Sequence, residues 1–140
     1  MIDIDLARRL RVAGLQWWPT ERDLFVIPDR QMDTQIFVIS QLTALVQLLN
    51  GHPAITFHGS SEWALDYVLL TDTVWLPSES QLREALAFLI GPDGALRLDR
   101  TPGGYRCQIS YLERMLEFDA ASAEDAYGLA LLHALAAQAT

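Results

Sequence analysis

Short apolar runs separated by polar breaks mark out this chain, and the spacing within each run predicts an element. Leu6, Leu10 and Ala13 recur at helical spacing, with Asp3 at an N-cap position and Gly14 where a helix would end. They predict a helix over about residues 3–14 whose Arg8, Arg9 and Arg11 point to water. Trp17, Trp18 and Pro19 break the regularity, Leu24-Phe25-Val26-Ile27 reads as a short strand stopped by Pro28, and a polar loop follows through Asp33. Residues 36–39 and 42–49 are apolar and β-branched enough for strands, with Asn50-Gly51-His52-Pro53 as turn chemistry before residues 54–57. The first half thus predicts a three- or four-strand meander.

Residues 60–65 can start a short helix, and Val74-Trp75-Leu76-Pro77 looks extended. Ser78 and Gln81 match a capping box; Leu82, Leu86 and Leu89 then keep helical spacing until Gly91-Pro92-Asp93-Gly94. Beyond that point the period changes to two. Leu96 and Leu98 alternate with Arg97 and Asp99, and the turn Thr101-Pro102-Gly103-Gly104 follows. Tyr105, Cys107, Ile109 and Tyr111 then alternate with Arg106, Gln108 and Ser110, a hairpin with one buried face. Leu116 and Phe118 belong to a third strand, and Ser122 with Asp125 opens a last helix running to about residue 138. This order predicts an α+β fold: antiparallel sheet in two meander-like halves with helices packed on it, as one domain over residues 1–140.

The last helix has an unusual composition. Residues 126–140 contain no Asp, Glu, Lys or Arg, whereas a helix with one side in water carries charge on that side. Tyr127, Leu131 and Leu135 form one stripe and Leu129, Leu132 and Ala136 a second. One stripe can cover the sheet. The other needs the N-terminal helix or the same helix of a second copy, so Tyr127, Leu129, Leu132 and Ala136 are candidate interface residues and a homodimer is expected.

Charge narrows the possible partners. A net charge of −8, with ten basic residues scattered along the chain, argues against nucleic acid. All ten are arginine, and the missing lysine removes phosphate-loop, Schiff-base and serine/lysine chemistries together. An acidic surface suits a basic protein partner, and it also keeps a small domain in solution. Acids at Asp3 and Asp5 stand where a signal peptide needs basic residues, and no apolar run approaches the ~20 residues of a bilayer span. A cytoplasmic protein with no membrane partner is the expectation. Cys107 is the one cysteine, so an internal disulfide or a Cys/His metal framework is not expected, and no cofactor is.

The polar candidates each have two readings. His58, Glu62 and Asp66 have the i, i+4, i+8 spacing of metal ligands on one helix face, but Gly59 would break that helix and leave exposed loop groups. His58 with Ser60 or Ser61 and Asp66 could form a hydrolase triad, without the Gly-x-Ser-x-Gly elbow. Trp63, next to Glu62 and near Trp75, is either an interface anchor or core. Asp29, Arg30 and Asp33 make a polar loop that can present a binding site or simply join strands. Cys107 lies on the inward register of its strand, where a thiol is inert, and His52 and His133 have no evident charged partner.

Leu6-Ala7-Arg8-Arg9-Leu10-Arg11, Gly14-Leu15, Phe25-Val26 with Pro28-Asp29-Arg30, Met32-Asp33, Phe37-Val38, Glu62-Trp63-Ala64-Leu65-Asp66, Trp75-Leu76-Pro77 and Gln81-Leu82-Arg83 are similar to a group of small, acidic, uncharacterised bacterial proteins. The similarity covers most of the chain. Some members carry the label of a pilus assembly protein; the factor meant by that label is ATPase-like with a phosphate-binding loop, which a chain without lysine does not match. The resemblance implies a shared fold and supplies no catalytic residues. With the residue reading, it predicts a non-enzymatic interaction or adaptor domain, of which an immunity or inhibitor protein for a basic target is one version. The rival expectation is a small hydrolase or ligand-binding enzyme using His58, Glu62 and Asp66.

Overall fold

A computed structural model describes residues 1–28, 32–40, 44–57 and 67–139, and only the backbone of residues 32–34, 44, 45 and 57. The described residues form an α+β fold of three helices and three antiparallel, three-stranded sheets. They group into two compact units: Met1–Gln16 with Pro77–Thr140, and Trp17–Leu76.

The first unit joins the two ends of the chain. Helix α1 (Ile4–Val12) starts where Asp3 accepts a hydrogen bond from the Leu6 N–H, and the Asp3 N–H is itself held by Asp125 Oδ1 at 2.8 Å. It closes in a Schellman arrangement, with Leu15 N–H donating to Leu10 O and Gly14 at φ 110°. Helix α2 (Glu79–Ile90) has the predicted capping box: Gln81 N–H donates to Ser78 Oγ, and Ser78 N–H donates to Gln81 Oε1. Strands β7 (Leu96–Thr101), β8 (Gly104–Tyr111) and β9 (Arg114–Ala120) form a meander, and helix α3 (Ala123–Gln138) packs on β8 and β9 between α1 and α2. Cys107 and Ile109 of β8 and Leu131 and Ala134 of α3 are fully buried. On the opposite face of the sheet, Arg106 makes a bidentate pair with Asp119 at 2.8 and 3.2 Å.

The second unit contains two small sheets. One has the order β2-β1-β6, from β2 (Met32–Val38), β1 (Leu24–Ile27) and β6 (Val74–Leu76); the other runs β3-β4-β5, from β3 (Ala44–Leu49), β4 (His52–Phe57) and β5 (Tyr67–Leu69). Phe25, Ile27, Phe37 and Ile39 from the first sheet and its following residue pack with Ile55 and Val68 of the second, and Trp17 and Leu70 lie against this cluster. A turn of 3-10 helix, Leu70–Asp72, leads from β5 towards β6.

Four details depart from the sequence expectations. The meander expected in the first half is divided: β1 and β2 leave β3 to β5 and pair with β6. The central strand of that sheet is β1, paired with β2 on one side and β6 on the other, and its Phe25, Val26 and Ile27 are fully buried. The polar loop ends earlier than expected, at β2, where Met32 pairs with Ile27 across a register shift. Third, the expected four-residue turn has only two central residues, because Asn50 and Gly51 take φ of 51° and 83° and let His52 pair with Leu49. Finally Arg8, expected to point to water, is half-buried, and its Nε is buried with no hydrogen-bond partner among the described residues.

Candidate functional site

Asp29, Arg30, His58, Glu62, Trp63 and Asp66 lie outside the described residues, as does residue 60–65 of the expected short helix. Asp33 belongs to β2 through its backbone, and its side chain lies outside the description. Among the described residues no group of three His, Cys, Asp or Glu is placed to hold a metal ion. His52 begins β4 and is exposed, and His133 is an exposed residue of α3 whose ring meets Phe118 at 5.6 Å between centroids.

Cys107 is fully buried on β8 opposite Leu98 and Phe118, and burial pushes its thiol up to about 11. A nucleophile needs the thiolate, so this position suits packing and not catalysis. Tyr127 is also buried, and loss of hydration raises its pKa although Arg83 hydrogen-bonds the hydroxyl and opposes the rise. Of the other expected interface residues, Leu129 and Leu132 are half-buried and Ala136 is exposed. Gly128 explains how α1 comes close to this helix: a Cβ added there would lie 2.8 Å from Leu6 Cδ2.

A polar cluster in the second unit is satisfied. Asp23 is 6% exposed, and its Oδ2 accepts from Trp17 Nε1 at 2.9 Å and from Thr20 N–H at 3.0 Å. Trp17 stacks on Trp75 with ring centroids 6.2 Å apart and leans on Phe25. This carboxylate fixes the approach to β1, and Trp17 and Trp75 are half-buried, with Trp17 packed against the core cluster. Trp75 Nε1 is buried without a hydrogen-bond partner among the described residues.

The surface of the same unit carries the features that sequence reasoning missed. Ile36 and Val38 of β2 are 42% and 43% exposed, and Val46 and Leu48 of β3 are 41% and 71% exposed. Each pair has i, i+2 spacing and therefore shares one face of its strand, and among the described residues both strands lie at the edge of their sheets. The signal was present in the sequence, as apolar runs too continuous for one-sided strands. Position at an edge, however, is decided by pairing between distant residues and leaves no mark in a run itself.

Among the described residues, no helix is long and apolar enough to cross a membrane. No family model, no curated protein and no solved structure matches this chain.

Proposed function

We propose that this chain is a non-enzymatic protein-interaction or adaptor module that binds another protein through the apolar edges of its 17–76 unit. The observation that carries this reading is the pair of exposed aliphatic ridges, Ile36 with Val38 and Val46 with Leu48, on edge strands. Exposed apolar side chains grouped on rigid strands cost solubility unless a partner covers them, whereas isolated ones are ordinary. Charge supports a basic partner. Within residues 17–76, Glu21, Asp23, Asp29, Asp33, Glu62, Asp66 and Asp72 stand against Arg22 and Arg30 alone, so an immunity or inhibitor role towards a basic target fits. Kinship with the small acidic bacterial proteins that the sequence resembles is part of the proposal, and so is a second copy of the chain as one possible partner.

The test is retention of a protein from native host extract on the immobilised full chain, beside a variant with Ile36→Glu and Val38→Glu. One basic polypeptide held by the wild type and lost from the variant supports the reading. Equal retention by both, or none by either, counts against it.

A further inference from the structure

The outer edge of β3 is laid out to receive another β-strand, and its sequence suits a copy of itself. Next to the two-residue turn at Asn50-Gly51, the closing pair Leu49 and His52 is the hydrogen-bonded kind, so Gln47 with Ala54 and Leu45 with Thr56 are hydrogen-bonded too. The N–H and C=O groups of Ala44, Val46 and Leu48 consequently point away from β4. Among the described residues β3 pairs on one side only. Those outward residues include Val46 and Leu48, whose side chains are 41% and 71% exposed.

Natural edge strands are blunted by charge, proline or a bulge. None of these occurs in β3: its six residues, Ala-Leu-Val-Gln-Leu-Leu, are uncharged, and its register with β4 runs unbroken from Ala44–Phe57 to Leu49–His52. The neighbouring strand contains Pro53 where it does no harm, since that position points away from β3 and lies beyond the last β4–β5 pair, Ala54–Leu69. An open edge of regular hydrogen-bonding groups selects an extended backbone as its occupant. In a chain of net charge −8, an uncharged strand is a place where two copies can meet without opposing like charges across the ladder.

We propose that two copies of this chain associate by antiparallel pairing of β3 with β3, with Val46 facing Val46 of the second copy across the two-fold axis. Leu48 then stands opposite Ala44 of the other copy, and the residues that pair are the ones whose backbone groups point outward. The two sheets become one continuous six-stranded sheet, three strands from each copy. This rests on the reading of the chain as an interaction module, and names one partner of it.

Sedimentation equilibrium of the purified full chain should show a monomer–dimer equilibrium that shifts with concentration. Val46→Pro removes an outward N–H and leaves the β3–β4 hydrogen bonds in place; it should weaken the dimer about tenfold or more, because the change counts twice across the axis, while the thermal midpoint stays near that of the wild type. Val46→Lys and Val46→Glu should each run as monomers, and an equimolar mixture of the two should regain the dimer mass, which covers the case in which the proline variant does not fold. Ala136→Glu, on the exposed side of α3, should leave the dimer intact. A wild type that stays monomeric at its highest soluble concentration, a mixture that stays monomeric, or a dimer lost through Ala136→Glu and kept in Val46→Lys would overturn the pairing. A monomeric wild type that still retains a host protein would overturn the pairing alone and leave the interaction module standing.

Discussion

Leu112 and Glu113 join β8 to β9 with φ of 52° and 62°, a conformation that crowds Cβ against the backbone. The turn between β3 and β4 makes the same reversal with Asn50 and Gly51, residues that tolerate it. Leu112 is 69% exposed and contributes little packing. Replacing the pair by Leu112→Asn and Glu113→Gly should therefore stabilise the protein by about 1 kcal/mol, read as a higher urea midpoint at unchanged slope. An unchanged or lower midpoint would mean that the native pair is not strained. Cys107 gives a second prediction. Burial raises its thiol from 9.0 to about 11, so between those values the unfolded chain releases a proton that the folded chain keeps. Stability then falls as pH rises through that window. Tyr127, raised by the same loss of hydration, adds to the fall. Urea midpoints at about pH 8 and about pH 10.5 should differ more for the wild type than for Cys107→Ala. The native thiol should also react with iodoacetamide far more slowly than free cysteine, and equal rates would remove Cys107 from the core.

At the scale of elements, the ends of the helices are fixed by side chains that sequence spacing already pairs. Ser78 accepts from the Gln81 N–H at 3.2 Å, so Ser78→Ala should cost about 1 kcal/mol in chemical denaturation, and Ser78→Asp should recover most of it. No loss on the alanine change would mean that water replaces the cap. The absence of charge from most of α3 has its explanation in packing: α1, α2, β8 and β9 all lie against this helix, so few of its positions meet water. Gly128 is the point of closest approach to α1, and Gly128→Val should destabilise by about 1–3 kcal/mol by driving Leu6 and Ile2 outward.

On the scale of the whole molecule, one unit is assembled from the first 16 residues and those after Leu76, while the chain between them forms the other. The N-terminal helix is therefore structural for a region far along the chain. Leu10 is fully buried on α1, which packs on α3, and Leu10→Ala should cost about 2–4 kcal/mol and raise hydrogen exchange in α3 as well as α1. Exchange that rises in α1 alone would show α1 to be a loosely attached segment.

Residue patterns alone determined the three helices with their caps, the hairpin of β7 and β8 with its one buried face, and the inward position of Cys107, because each rests on contacts within a few residues or on a period of two or 3.6. They also placed a strand at 24–27 and an extended segment at 74–77, in which β6 forms. Tertiary structure alone decided that these two strands are neighbours, with Phe25 opposite Trp75, and that β2 and β3 are left as edges. The residues singled out for chemistry, His58, Glu62 and Asp66, were legible as a spacing and fall outside the described chain. The exposed ridges on β2 and β3 were legible only as apolar runs. A buried central strand and an exposed edge strand present the same run of side chains, and what separates them is which distant backbone takes the remaining hydrogen bonds.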